Sequence, residues 1–184
     1  MTAILLPSRS AVAPKRPNII LVGLPGVGKT TTGRMVARNL HWPFVDFDTE
    51  IEHREHASVA HIFATKGEAY FRGLEQSLSS EIATRAGTVI SAGGGWITNR
   101  DSVALLRGTG RIIYLRVGPE RAMARLETAR VRRPLLEVAD PLRTLQQLYE
   151  ERRMLYEEAD LTIDTEVVDR KEVIEQIRLY ALSI

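Results

Sequence analysis

Residues 23–30 have the types and spacing of a loop that binds phosphate groups. Their sequence, GLPGVGKT, follows the apolar run Asn18–Val22 and precedes a stretch with helical spacing. Glycines here let several backbone N–H groups point at one anion, at a helix N-terminus whose partial positive charge favours phosphate. Lys29 is then placed to contact the β- and γ-phosphates of a nucleotide, and the Thr30 hydroxyl to coordinate Mg²⁺. The motif predicts a nucleotide site and leaves the acceptor of the phosphate open.

Two aspartates at the end of the second apolar run are candidates for metal binding and for orienting a substrate. Asp46 and Asp48 flank Phe47 at the end of residues 44–47. Side chains two positions apart on a strand point the same way, so both carboxylates are expected to face the phosphate loop. One can hold Mg²⁺ through water, and the other can accept a hydrogen bond from the hydroxyl that attacks. The alternative is that one aspartate only caps a helix beginning near Thr49.

Three successive glycines, Gly93, Gly94 and Gly95, follow the third apolar run, residues 88–91. A glycine triplet costs more conformational entropy on folding than an ordinary turn requires. It therefore indicates a place where a ligand approaches backbone amides closely. The alternative is a bulge or a tight turn without a ligand.

Arginine is the expected partner of carboxylate and phosphate groups, because its planar fork donates two parallel hydrogen bonds. Candidates lie in three regions: Arg72 opens a long helical stretch, residues 130–133 form a basic cluster, and Arg152 lies on a later helical stretch. The like charges of the cluster repel one another unless an anion is bound. Residues 130–133 are therefore the candidate for a mobile lid that closes over ATP.

Short apolar runs alternate with helical patterns, and these elements must position the candidate residues. The runs are residues 19–22, 44–47, 88–91, 111–117 and 161–164, and the helical stretches are residues 31–40, 68–85, 141–158 and 171–182. This alternation predicts βαβ units and a parallel sheet covered on both faces, in one three-layer α/β domain. In such sheets ligands bind beyond the carboxyl ends of the strands, where the distinctive residues of this chain lie.

Composition limits the classes of protein to which the chain can belong. It has 184 residues, a net charge of +2 and no cysteine. The length fits a single domain, residues 18–184, preceded by a flexible extension, residues 1–17. The small net charge gives no reason to expect nucleic acid binding, and no apolar run approaches a membrane span. The absence of cysteine excludes disulfides, thiolate zinc sites and a cysteine nucleophile, and it fits a cytoplasmic protein.

In the identity and order of these motifs, the chain resembles the shikimate kinases, small P-loop kinases of the nucleoside monophosphate kinase group. The resemblance runs from Asn18 to the C-terminus. It rests on the phosphate loop, Asp46-Phe47-Asp48, Phe71-Arg72 with Glu75, the glycine triplet, Arg133-Pro134-Leu135-Leu136, and Arg152 before Leu155-Tyr156. It implies a P-loop kinase fold with a five-stranded parallel sheet of order 2-3-1-4-5 and a mobile lid. The implied reaction is ATP-dependent phosphorylation of the 3-hydroxyl of shikimate, a step toward chorismate and the aromatic amino acids.

The resemblance also implies roles for individual residues. The ATP phosphates would be bound by Gly26, Val27, Gly28, Lys29, Thr30, Thr31 and Arg133. Shikimate would be bound by Asp48, Arg72, Gly93, Gly94, Gly95 and Arg152. The catalytic residues would be Lys29, Asp48 and Arg133, with Asp48 drawing the proton from the attacked hydroxyl and Arg133 stabilising the transferring phosphoryl group. Thr30 would coordinate Mg²⁺, Asp46 would hold it through water, and Glu75 would orient Arg72. The partners would be shikimate and ATP alone, without nucleic acid or membrane, and the protein would be a monomer.

One position departs from the family pattern, and two other functions remain alternatives. Leu126 stands where the family often has an arginine that contacts adenine, so Arg125 and Arg130 are the candidates for that contact. A kinase for another polyhydroxylated acid, such as gluconate, would also need a phosphate loop and a carboxylate clamp. A nucleotide-dependent regulatory module would bind ATP without turnover. The joint presence of Asp48, Arg72, the glycine triplet and Arg152 favours shikimate.

Overall fold

Five parallel strands form one sheet in the computed structural model, which describes residues 16–129 and 139–184. The strands are β1 Asn18–Val22, β2 Phe44–Asp46, β3 Val89–Ser91, β4 Gly110–Arg116 and β5 Leu161–Asp164. Their spatial order is β2-β3-β1-β4-β5, which confirms the expected order. The central strand β1 pairs with β3 on one side and with β4 on the other, so that Ile19 lies between Val89 and Arg111.

Helices connect the strands and cover both faces of the sheet. They are α1 Lys29–Leu40, α2 Phe47–Glu55, α3 Val59–Ala83, α4 Arg100–Arg107, α5 Pro119–Ala129, α6 Pro141–Glu157 and α7 Arg170–Ser183, with a short 3₁₀ helix at Trp96–Thr98. Gly67 interrupts α3 with a φ of 80°, a backbone conformation that favours glycine. This interruption explains why the helical pattern in the sequence becomes clear only from residue 68. None of the helices in the described ranges has the length and apolar character needed to cross a membrane.

The side chains of β1 divide between two hydrophobic cores, one on each face of the sheet. Every residue of β1 is buried, and successive side chains point to opposite faces. Ile19 and Leu21 pack into the core that includes α1 and α7, whereas Ile20 and Val22 pack into the core that includes α2, α3 and α4. The result is the predicted three-layer α/β arrangement.

The sheet order brings the predicted site residues to one edge. Strands β2, β3 and β1 are neighbours, and at their carboxyl ends lie Asp46, the glycine triplet and the phosphate loop. Of the predicted N-terminal extension, only Arg16 and Pro17 lie within the described residues. The amide of Gly87 donates a hydrogen bond to the carbonyl of Arg16, 2.9 Å away, so the described part of the chain is already attached to the domain one residue before Pro17.

Candidate active site

The phosphate loop joins β1 to α1 and has the geometry that its motif predicts. Gly28 is the N-cap of α1 with a φ of 97°, in the left-handed region. A side chain at Gly26 would lie 2.6 Å from the carbonyl oxygen of Ala122, so the loop packs closely on α5 at that point. The Lys29 Nζ donates hydrogen bonds to the carbonyls of Gly23, at 2.7 Å, and Leu24, at 3.1 Å. The ammonium group therefore lies across the loop, at the N-terminus of α1.

Thr30 and Asp46 bring oxygen atoms together beside the phosphate loop. The Thr30 hydroxyl donates a hydrogen bond of 2.6 Å to Asp46 Oδ2, and the Ser91 hydroxyl lies 3.4 Å from Thr30 Oγ1. The other carboxylate oxygen of Asp46 accepts a hydrogen bond from the Thr49 backbone N–H, at 3.2 Å, and caps α2. Asp46 therefore serves as the helix cap while its Oδ2 lies at the loop. Hydroxyl and carboxylate oxygens are the donors that Mg²⁺ prefers.

The strand geometry predicted for Asp48 is wrong, although Asp48 still lies at the site. Because the Asp46 cap starts α2 at Phe47, Asp48 lies in the first helical turn and not two positions along a strand. Phe47 is fully buried, and Asp48 Oδ1 lies 2.7 Å from the point where a side chain on Gly93 would begin. A helix N-terminus favours a negative side chain at this position. The Asp48 carboxylate therefore lies against the glycine triplet.

Arg72 lies against Gly95, the last glycine of the triplet, and is held by two carboxylates on its own helix. Its Nη1 bonds Glu75 Oε2 at 2.7 Å, and its Nη2 bonds Glu68 Oε1 at 2.7 Å. The Arg72 Nη1 lies 2.8 Å from the point where a side chain on Gly95 would begin, so only glycine leaves room for the guanidinium. The expected contact between Glu75 and Arg72 is present.

Glu75 is a buried carboxyl group with an unusual pKa. Its side chain has no exposed surface, and Oε1 has no hydrogen-bond partner in the described part of the chain. Burial raises the pKa of Glu75 to about 7, although the Arg72 guanidinium opposes this rise. The nearby carboxylates of Asp48 and Glu68 raise it further. The site therefore contains, beside Arg72, a buried acid that changes charge near neutral pH.

The glycine triplet presents backbone amides that have no acceptor among the residues described by the structure. Its carbonyls are bonded: Gly93 O accepts from Trp96 N, and Gly95 O accepts from Thr98 N, both at 3.0 Å. The three N–H groups donate no hydrogen bond to any residue in the described ranges. Trp96 is fully buried and donates from Nε1 to the Ser79 hydroxyl at 3.0 Å, so it supports the turn by packing. The arrangement suits a ligand that accepts hydrogen bonds.

Arg152 is a buried cation on α6 that faces the same triplet. The residue is 8 % exposed, and its Nη1 donates a hydrogen bond of 2.8 Å to the Gly94 carbonyl. It forms no ion pair with any residue that the structure describes, and its Nε has no hydrogen-bond partner there. A buried charge without a counter-ion is costly, so this position favours an anionic ligand.

Tyr156 belongs to the site and was not among the predicted site residues. Its hydroxyl donates a hydrogen bond of 3.0 Å to the Gly94 carbonyl, which also accepts from Arg152. Four positions separate Arg152 and Tyr156 on α6, so both lie on one helix face. The spacing of four residues was the signal available in the sequence. The Tyr156 hydroxyl, however, bonds a backbone carbonyl, and no sequence motif indicates such a partner.

The residues near the expected adenine contact fall into two groups. Leu126 is buried against Gly26 of the phosphate loop. Arg125 donates hydrogen bonds to the Thr165 carbonyl, at 2.7 Å, and hydroxyl, at 2.9 Å. Its guanidinium thus joins α5 to the turn after β5. Arg130 and the predicted catalytic and ATP-binding residue Arg133 lie outside the described residues.

Comparisons with known proteins agree on one family. The shikimate kinase family profile matches residues 25–180. A shikimate kinase of Thiobacillus denitrificans is 43% identical over 152 residues, which cover 82% of each chain. A shikimate kinase from Acinetobacter baumannii, solved in complex with shikimate, is 37% identical and superposes with a TM-score of 0.84 over 91% of this chain and 93% of its own. A gluconokinase from Sinorhizobium meliloti is 17% identical, with a TM-score of 0.60 over 91% of this chain and 92% of its own, and shares the fold alone.

Proposed function

The chain belongs to the shikimate kinase family, and from that premise we propose that it phosphorylates the 3-hydroxyl of shikimate, with ATP as the donor. The products are shikimate 3-phosphate and ADP. The observation that carries this proposal is the convergence of Asp48, Arg72 and Arg152 on the glycine triplet, next to the phosphate loop. A small ligand with one carboxylate and several hydroxyls matches that set of groups.

Residues 26–31 and Arg133 bind the phosphates of ATP in this proposal. The backbone N–H groups of the loop and the N-terminus of α1 attract the anionic chain. Lys29 gives up its bonds to the loop carbonyls and contacts the β- and γ-phosphates. Arg125, which lies between the loop and the turn after β5, is the described candidate on the adenine side.

Thr30 and Asp46 fit a magnesium ion. Their oxygens and the Ser91 hydroxyl form a set of hard donors without nitrogen or sulfur. No group of three or more histidines, aspartates or glutamates in the described residues forms a metal cage, so phosphates and water would supply the remaining ligands. When bound, Mg²⁺ neutralises charge on the β- and γ-phosphates.

Asp48 orients the acceptor. Its carboxylate accepts a hydrogen bond from the 3-hydroxyl and helps to draw off the proton as the new bond from oxygen to the γ-phosphorus forms. The bond from the γ-phosphorus to the bridging oxygen breaks, and ADP leaves. Phosphoryl transfer needs little covalent help, so most of the acceleration comes from alignment and charge neutralisation. Arg133 would add positive charge to the transferring group.

Arg72 and Arg152 hold the shikimate carboxylate, assisted by the amides of residues 93–95. Arg152 is buried and has no counter-ion among the described residues, so it gains a partner when a carboxylate binds. The same clamp excludes neutral polyols, since they would leave Arg152 buried and uncompensated. We place the enzyme in the cytoplasm as a monomer, acting in aromatic amino-acid biosynthesis without nucleic acid or membrane partners.

The proposal is tested by measuring ADP release with three acceptors. Purified protein is assayed with ATP, Mg²⁺ and shikimate, quinate or gluconate, each at several concentrations. We expect efficient turnover with shikimate and much lower kcat/KM with the other two acids. Preference for gluconate would favour the other kinase, and nucleotide binding without turnover on any acceptor would favour a regulatory module.

A further inference from the structure

The Gly94 carbonyl is held by two donors from α6. It accepts hydrogen bonds from Arg152 Nη1, at 2.8 Å, and from the Tyr156 hydroxyl, at 3.0 Å. A carbonyl oxygen has two lone pairs, so these two bonds satisfy it. This face of the peptide group is therefore directed to α6 and has no remaining acceptor for a ligand.

The opposite face of the same peptide group carries the N–H of Gly95. The peptide bond is trans, so its N–H points away from its C=O and hence away from α6. That N–H has no acceptor within the described residues, and Gly95 itself lies against the Arg72 guanidinium. Whatever fixes the carbonyl also fixes the direction of this free donor.

We propose that Tyr156 is a positioning residue, whose hydroxyl fixes the Gly94–Gly95 peptide so that the Gly95 N–H faces the carboxylate of the acceptor. This inference rests on the proposed function and adds a specificity residue to it. Tyr156 does not touch the acceptor; it acts through the peptide. The Tyr156 hydroxyl also holds the Gly94 carbonyl in place for its bond with Arg152, and this bond orients the Arg152 guanidinium.

The surroundings of Tyr156 suit this role. Its ring is stacked on Tyr114 with centroids 5.0 Å apart, and both residues are almost fully buried. Burial raises the pKa of the Tyr156 hydroxyl to about 12, against the opposing effect of Arg152, so the hydroxyl keeps its proton at neutral pH. It therefore donates throughout the working range of a cytoplasmic enzyme.

The chain offers a matched control in the same stack. The Tyr114 hydroxyl is buried but has no hydrogen-bond partner in the part of the chain that the structure describes. Tyr114→Phe and Tyr156→Phe each remove one buried oxygen and keep the ring. They differ in one respect: only Tyr156→Phe removes a hydrogen bond to the Gly94 carbonyl, which then keeps its bond from Arg152.

The test compares steady-state constants of the two variants with those of the wild type. A neutral hydrogen bond contributes about 1 kcal/mol, so we expect Tyr156→Phe to raise the KM for shikimate about fivefold. The KM for ATP should stay within about twofold, since the phosphate loop keeps its own contacts. Tyr114→Phe should leave both constants unchanged. Equal constants in the two variants would overturn the role of Tyr156 while leaving the proposed function intact.

A second measurement does not depend on the stability of any variant. In the ¹⁵N-labelled wild type, saturating shikimate should shift the backbone amide signal of Gly95 more than that of Gly108, a distant glycine. A Gly95 signal that does not respond would contradict the inference. Wild-type protein that releases no ADP with shikimate would contradict both the proposed function and the inference built on it.

Discussion

Replacing Glu75 by glutamine should raise the free energy of unfolding at alkaline pH relative to the wild type. The size of the effect follows from the pKa of the buried Glu75. The pKa of Glu75 is about 7 in the folded protein, against 4.5 for an ordinary glutamate. A carboxyl group whose folded pKa is raised stabilises the fold fully below pH 4.5, and this contribution is lost as pH rises through 7. Ionised Glu75 therefore costs stability at pH 8, and glutamine does not ionise.

The expected magnitude follows from the difference between the two pKa values. Each pKa unit corresponds to about 1.4 kcal/mol, so the free energy of unfolding of Glu75→Gln relative to the wild type should rise by about 2–3 kcal/mol between pH 5 and pH 8. Urea denaturation at these two pH values measures it, and comparing variant with wild type cancels most other titrating groups.

Glu68→Gln is the control for this experiment. Glu68 contacts the same guanidinium, but its side chain is 64% exposed. Its substitution should change stability by less than about 1 kcal/mol at either pH. If the difference between Glu75→Gln and the wild type is the same at pH 5 and pH 8, the argument from burial is refuted.

Three further substitutions test the separate parts of the site. We propose that Lys29 contacts the phosphates of ATP and not shikimate, so Lys29→Ala should abolish phosphoryl transfer while calorimetry shows nearly unchanged shikimate binding. An equal loss of transfer and of shikimate binding would contradict this division. Arg152→Ala should raise the shikimate KM about 30-fold or more, because a buried charge-assisted contact is lost. Replacing its exposed neighbour, in Arg153→Ala, should have little effect on this KM. An unchanged KM in Arg152→Ala would show that Arg152 does not bind the carboxylate. Gly95→Ala should raise the shikimate KM at least tenfold, because the new methyl group displaces the adjacent Arg72 guanidinium. Its control is Gly73→Ala, which has open space around it in a helix and should stabilise the protein by about 0.5–1 kcal/mol. The same shikimate KM in both variants would contradict the tight contact at Gly95.

Local patterns in the sequence were enough to locate the phosphate loop and the apolar strands, whereas the sheet order was expected only from the resemblance to the shikimate kinases. The phosphate loop is defined by spacing along the chain, and residues 19–22 show the continuous apolar character of a strand buried on both faces. The contact between Arg72 and Glu75 was also predictable, since it joins positions three apart on a helix.

What the sequence did not reveal depends on three-dimensional contacts. Asp48 was expected on a strand, but the capping bond from Thr49 N to Asp46 begins α2 before it. Tyr156 was missed because its partner is the Gly94 carbonyl, 62 positions away in the chain. The pKa of Glu75 results from packing on every side, which no local pattern encodes.

The carboxylates that hold Arg72 determine how the site can recognise an anion. A free arginine side chain loses about 2 kcal/mol of rotamer entropy when it is fixed in one conformation. Glu68 and Glu75 already fix Arg72 in the folded protein, so this entropy is lost when the protein folds. Little further side-chain entropy is lost at Arg72 when a ligand binds. A rigid donor cannot follow a carboxylate that is displaced by the length of one methylene. The site should therefore discriminate among acids by the distance between carboxylate and hydroxyl, and not by charge alone.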